Sequence, residues 1–281
     1  MLSLLDSEGG HMGLGTEVRM ARLFAHPSAN LFGAAVDHFI GYGGMRSGGL
    51  ADLPGAIAKI MESPPDTVTM LGGSARHIWP SYAGRAALIV QGGMFTPDDR
   101  VRELTATPED AARLGADALA VAIGVRGEHE GAYLRWLSDT VRRAALLEMP
   151  VVAHIYPRDY TDGTKIVFNP EEIAWAVRCG LETGVDVIKV GHPGDERAFA
   201  DIIRTCPVPV VMAGGPKTAT FVEALTQIES GMRSGARGAV VGRNLWDAPD
   251  VVGAAKACAA VIHDGLPAEE AAGLAAPGAS G

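Results

Sequence analysis

The sequence has no block of basic residues, no apolar run approaching the ~20 residues that a membrane span needs, and no complete dinucleotide fingerprint. Its 24 Lys and Arg are outnumbered by 33 Asp and Glu, a formal net charge of -9, so the electrostatic footprint of a nucleic-acid binder is missing. The nearest approach to G-x-G-x-x-G, Gly41-Tyr-Gly43-Gly44-Met-Arg46, has arginine where the last glycine belongs. Cysteine is scarce. Cys179, Cys206 and Cys258 are far apart, odd in number and form no CxxC pair, which disfavours a disulfide framework or a thiolate zinc site and points to the reducing cytoplasm. What remains is a soluble protein acting on small ligands, with no nucleic acid or membrane as partner.

What is present is an alternation of short apolar runs with helical patterns. Strands are expected at Leu31–Val36, Thr67–Leu71, Ala86–Gln91, Ala118–Ile123, Val151–Ile155, the run ending in Lys189, Val208–Met212 and Gly238–Val241, with Gly72-Gly73 as a tight turn after the second. Helices are expected at 53–62, 108–114, 130–148, 170–183, 196–204, 219–234 and 251–264, with Thr107 and Asn169 as N-caps and Pro170 at the first helical position. Continuously apolar strands alternating with helices mean a parallel sheet covered outside, and eight units predict a single (β/α)8 TIM barrel. The expected organisation is an N-terminal extension over 1–17, a barrel over 18–266 and a tail over 267–281. The tail, rich in Ala, Gly and Pro, is expected to fray because it has little apolar surface to offset its ordering entropy.

In such a barrel the polar residues that end the apolar runs converge, because the active site lies at the C-terminal ends of the strands. They are Asp37 and His38 after strand one, Gln91 after strand three, His154, Tyr156 and Arg158 after strand five, and Lys189, His192 and Asp195 around strand six. Lys189 stands out, since desolvation favours the neutral amine that attacks a carbonyl. The alternative is a lysine that reaches solvent or pairs with Asp186 or Asp195. A lysine, a carboxylate and a phenol around one cavity are the parts of imine chemistry. Lys189 condenses with a ketone, the protonated imine serves as electron sink, and Tyr156, Asp37 or His154 moves the proton. Taken singly, Asp37 reads as a strand-end cap and Tyr156 as a core residue. Glycines end the last two strands in Ala213-Gly-Gly-Pro-Lys217 and Val241-Gly-Arg-Asn244. Gly214, Gly215 and Gly242, with Lys217 and Arg243, are expected to bind a substrate phosphate.

With Val18-Arg-Met-Ala-Arg-Leu-Phe24, Val36-Asp-His38, Ile155-Tyr-Pro-Arg158, Val187-Ile-Lys189 and Pro193-Gly-Asp195, these stretches resemble, in order and spacing, the class I aldolases of the archaeal fructose-bisphosphate type. That group includes 2-amino-3,7-dideoxy-D-threo-hept-6-ulosonate synthase and the autoinducer-2 phosphate thiolase. The resemblance covers nearly the whole barrel. It implies Lys189 as the Schiff-base lysine, Asp37 and Tyr156 as the proton-transfer pair, and the two glycine turns as the phosphate cradle. It also implies no cofactor, a phosphorylated ketone such as dihydroxyacetone phosphate and an aldehyde as substrates, and a homo-oligomer.

The chain departs from the family pattern at Phe39, where glycine is usual, and at Lys189-Val-Gly-His-Pro-Gly-Asp195, where the family commonly has Lys-Thr-x-Tyr-Thr-Gly-Asp. Phe39, His154 and His192 are therefore expected to reshape the pocket beside the imine. Two other readings stand beside this one. His38, His154 and His192 could converge on a divalent metal, or the barrel could bind phosphosugars without catalysis. Lys217 is the second-choice nucleophile.

Overall fold

A computed structural model describes residues 13–38, 48–93, 105–162 and 165–275. Phe39 and the 41–46 stretch lie outside the described residues. The strands are β1 (Leu31–Ala35), β2 (Thr67–Leu71), β3 (Ala87–Gly93), β4 (Ala118–Val125), β5 (Val151–Asp159), β6 (Lys165–Ile166), β7 (Val187–Val190), β8 (Val210–Ala213) and β9 (Gly238–Val241). They pair in the order β4-β3-β2-β1-β9-β8-β7-β5, and β4 also pairs with β5, which closes the ring. Of the nine, only β6 pairs antiparallel, folding back on the end of β5. The other eight form the parallel TIM barrel expected from the alternation.

A repeated device sets the start of the strands. Asp66, Asp117 and Asp186 stand immediately before β2, β4 and β7, and each accepts a backbone N–H from the neighbouring strand. The donors are Phe32 (2.7 Å), Leu88 (3.2 Å) and Val151 (2.8 Å). Above these anchors, residue parity divides the side chains between two cores. Val187 packs inside the barrel with Leu31, Ala35, Ile89, Val152, Val211 and Val240. Ile188 and Val190 face outward, into the larger core beneath the helices.

Several helices begin where capping chemistry supplies their orphan amides. Thr107 and Asp110 form a capping box on the helix Pro108–Arg113, Thr220 and Glu223 form another on Phe221–Arg233, and Asn169 Oδ1 accepts Glu172 N–H at 3.0 Å. Three expectations are corrected. Gly72-Gly73 is not a turn but the first turn of a helix, Gly72–Ile78. The helix Leu14–Leu23 crosses the expected 17/18 boundary; it brings fully buried Leu23, with Met20 and Phe24, against Leu31, Ala87 and Ala118, the first residues of their strands, and so plugs the bottom of the barrel. The tail does not fray over its described part. Residues Ala268–Ala272 form a helix whose Ala268 and Ala271 are buried against Phe221–Arg233, and Glu229 accepts the Ala268 N–H at 3.0 Å. Alanines need little surface to bury when the helices approach closely, so the low bulk of this segment did not prevent packing.

Candidate active site

The parity that sends Val187 inward sends Lys189 inward as well, two residues nearer the C-terminal end of β7. His154 is its register partner on β5 and follows Val152 inward in the same way. Lys189 is only 5% exposed, so its amine has lost most of its water. Burial lowers its pKa to about 8, against the opposing pull of the Asp37 carboxylate. The two carboxylates nearest in sequence do not neutralise it. Asp186 sits at the opposite end of β7 on Val151 N–H, and Asp195 caps the helix Glu196–Arg204 through Ala198 N–H at 2.9 Å. Lys189 is thus a buried amine whose acidic neighbour comes from another strand.

A cavity of about 260 Å³ opens over this lysine at the C-terminal end of the barrel. Tyr156 borders it from β5, Ala35 and His38 from β1, and Gly214, Gly215, Gly242 and Arg243 from β8 and β9. Asp37 adjoins His38, Oδ1 to Nδ1 at 3.4 Å. The pKa of His38 is lowered by burial, with Asp37 pulling it upward and Lys189 and Arg243 downward. His154 is buried beside Lys189 rather than in the cavity lining, and burial, then Lys189 and His38, hold it well below the ordinary imidazole value. Both rings therefore offer a neutral acceptor or donor beside the amine rather than a competing cation.

The glycine turns have geometric reasons. Gly215 has φ +70°, which L-residues rarely adopt. A Cβ on Gly242 would lie 2.5 Å from His38 Cε1, and one on Gly214 would lie 2.9 Å from the Val241 Cα. Arg243 donates to Gly215 O at 3.3 Å and so leans across both turns.

Two expected participants are placed elsewhere. Lys217 turns away from the cavity to pair with the Asp247 carboxylate. His192 also faces away. Its Nδ1 accepts Gly194 N–H at 3.0 Å, its Nε2 meets Ser230 Oγ at 3.1 Å, and Ser230 donates to Glu196. It therefore neither reshapes the pocket nor joins His38 and His154 as a third ligand, and no group of three or more His, Cys, Asp or Glu able to hold a metal occurs among the described residues.

Three residues were not assigned a role from sequence. Asn244 is buried and fastens the two turns together. Its Nδ2 donates to Gly214 O and Pro216 O, both at 3.0 Å, and its Oδ1 accepts Thr218 N–H at 3.0 Å. Only its place after Gly242-Arg243 signalled it. Ile166 and Phe168, which form the cavity wall next to Tyr156, come from the segment that folds back on β5.

Comparison with known proteins identifies the family. The family model described as DeoC/LacD family aldolase matches residues 32–248. The 2-amino-4,5-dihydroxy-6-oxo-7-(phosphonooxy)heptanoate synthase of Streptomyces griseus is 31% identical over 253 residues, 88% of this chain and 90% of that protein. The 2-amino-3,7-dideoxy-D-threo-hept-6-ulosonate synthase of Halobacterium salinarum is 32% identical over 239 residues, 84% of this chain and 88% of its own length. The structure of an archaeal fructose-1,6-bisphosphate aldolase, with its catalytic lysine covalently bound to the carbinolamine intermediate of the substrate, superposes with a TM-score of 0.78. It is 31% identical and spans 89% of this chain and 99% of that one. A closed parallel barrel, a buried lysine at the end of its sixth barrel strand and a family match across the strands that carry the site agree: the chain belongs to the DeoC/LacD family of aldolases, as an enzyme of the class I, imine-forming kind.

Proposed function

We propose that Lys189 forms an imine with dihydroxyacetone phosphate or a closely similar phosphorylated ketone, and that the enzyme makes or breaks the C–C bond next to the imine carbon. The observation that carries this reading is a buried amine with a pKa of about 8 at the floor of a cavity whose far side is a glycine and Arg243 cradle. The neutral amine adds to the ketone carbon, giving a carbinolamine, and loss of water leaves a protonated imine. In the cleavage direction Tyr156 takes the proton of the reacting hydroxyl as the C–C bond breaks. The bond electrons pass to the imine as an enamine, and the aldehyde leaves. Asp37 and His154 manage the proton and water of imine formation. Gly214, Gly215, Gly242 and Arg243 hold the phosphate; Lys217, paired with Asp247, takes no part. The name of the Streptomyces griseus relative describes a ketone beside a phosphorylated carbon and hydroxyls on the next two carbons. That is the pattern an aldol addition of a phosphorylated ketone leaves, and it favours a synthetic direction here. Three free cysteines, two of them buried, support a cytoplasmic setting. No helix among the described residues is long and apolar enough to cross a membrane.

The test is hydrogen exchange without an acceptor. In deuterated water the enamine should wash deuterium into the α-carbon of dihydroxyacetone phosphate, much faster than into unphosphorylated dihydroxyacetone. A protein that turns over other substrates but leaves dihydroxyacetone phosphate unlabelled uses a different ketone.

Arg243→Met should raise KM for phosphorylated substrates about 10- to 100-fold, the worth of a charge-assisted hydrogen bond of roughly 1.5–3 kcal/mol. It should leave KM for the unphosphorylated ketone within about twofold, as steady-state kinetics on both ketones would show. Equal losses on the two would mean that Arg243 supports the turns without touching phosphate.

A further inference from the structure

One wall of the cavity is apolar, and one glycine makes room for it. Around the barrel the cradle on β8 and β9 lies to one side of Lys189 on β7, and Tyr156 on β5 lies to the other. A ketone whose phosphate rests in the cradle and whose carbonyl carbon is on Lys189 therefore extends its reacting bond toward Tyr156. Ile166 and Phe168 line the same cavity. Their placement comes from the return of the chain. Ile166 pairs antiparallel with Arg158, Val167 N–H donates to Pro157 O at 3.0 Å, and alternation across Val167 sends Ile166 and Phe168 to the same side.

Phe168 rests directly on Gly191, two residues beyond Lys189. A Cβ at Gly191 would lie 2.1 Å from Cδ1 and 2.2 Å from Cε1 of its ring, so any side chain there would drive the ring off its seat. We propose that Phe168, seated on Gly191 and flanked by Ile166, sets the size and polarity limit on the acceptor aldehyde. The wall admits a short aldehyde that presents C–H rather than charge to this side. The proposal rests on the imine reading of Lys189, because that reading fixes which end of the substrate faces the wall. Neither side chain can exchange protons or carry charge, so the pair acts on specificity and not on the chemical step.

The experiment measures kcat/KM for condensation of dihydroxyacetone phosphate with glycolaldehyde and with hexanal, alongside borohydride trapping of the ketone on Lys189. Phe168→Ala should raise the hexanal to glycolaldehyde ratio about 10- to 100-fold, the range over which a single methylene in an apolar pocket already discriminates. Trapping should be unchanged. Phe168→Leu, which keeps more of the packing, should move the ratio in the same direction by less. Gly191→Ala should lower kcat/KM for both aldehydes, and combining it with Phe168→Ala should remove that loss, since the colliding ring is gone. Normal trapping with an unchanged ratio in both Phe168 variants would overturn the wall alone, as would a Gly191→Ala loss that persists without the ring. Failure of trapping in the unsubstituted enzyme would overturn the imine reading and this proposal with it.

Discussion

Lys189→Met is expected to abolish both turnover and reductive trapping, lowering kcat by on the order of 10⁴–10⁶-fold, as removal of a covalent nucleophile does. Methionine is one atom shorter, flexible and uncharged, so the barrel should survive; an unchanged thermal midpoint and circular dichroism spectrum would verify this. The same lysine governs the pH profile. Its pKa is lowered from 10.5 to about 8 by burial, and only the neutral amine attacks a carbonyl. The rate of imine formation should therefore rise with pH and level off just above 8, where a solvent-exposed lysine would go on gaining until above 10. Asp37→Asn removes a carboxylate that favours the protonated amine, so the plateau should move to lower pH. If Asp37 manages the proton and water of imine formation as proposed, the same change should also slow the appearance of the trapped adduct. A profile still rising at pH 10 would mean that the amine is not desolvated.

Tyr156→Phe should separate binding from bond making. The ring is kept, so the cavity wall beside Ile166 and Phe168 stays in place and the ketone should still be trapped on Lys189. Only the hydroxyl proposed to move the proton is lost, and kcat should fall about 10²–10⁴-fold, the usual worth of a positioned acid or base. Rapid-quench kinetics would show the adduct forming at its normal rate and then stalling. Full turnover by Tyr156→Phe would pass the role to Asp37 or to His154.

Much of this site could be read from local sequence because it depends on local signals. The run Val187-Ile-Lys189 gives strand and parity together, and once Val187 is inside, Lys189 must be inside. The helix Pro170–Thr183 falls where Asn169 and Pro170 place its start. What could not be read depends on partners far along the chain. His192 is turned outward by Ser230, 38 residues later, and Lys217 is taken by Asp247, 30 residues later. Phe168 was hidden for another reason. The strand before it has two residues, too few to show a period, and its importance lies in what Gly191 lacks. The Ala268–Ala272 helix was missed because composition measures bulk and not the closeness of approach that alanine permits.

The most direct measurement is a mass spectrum of peptides after borohydride reduction in the presence of dihydroxyacetone phosphate. One equivalent of the reduced ketone should be found on the peptide containing Lys189 and none on the peptide containing Lys217. An enzyme that turns over a phosphorylated ketone while Lys189 stays unmodified, or that carries the adduct on Lys217, would contradict the account.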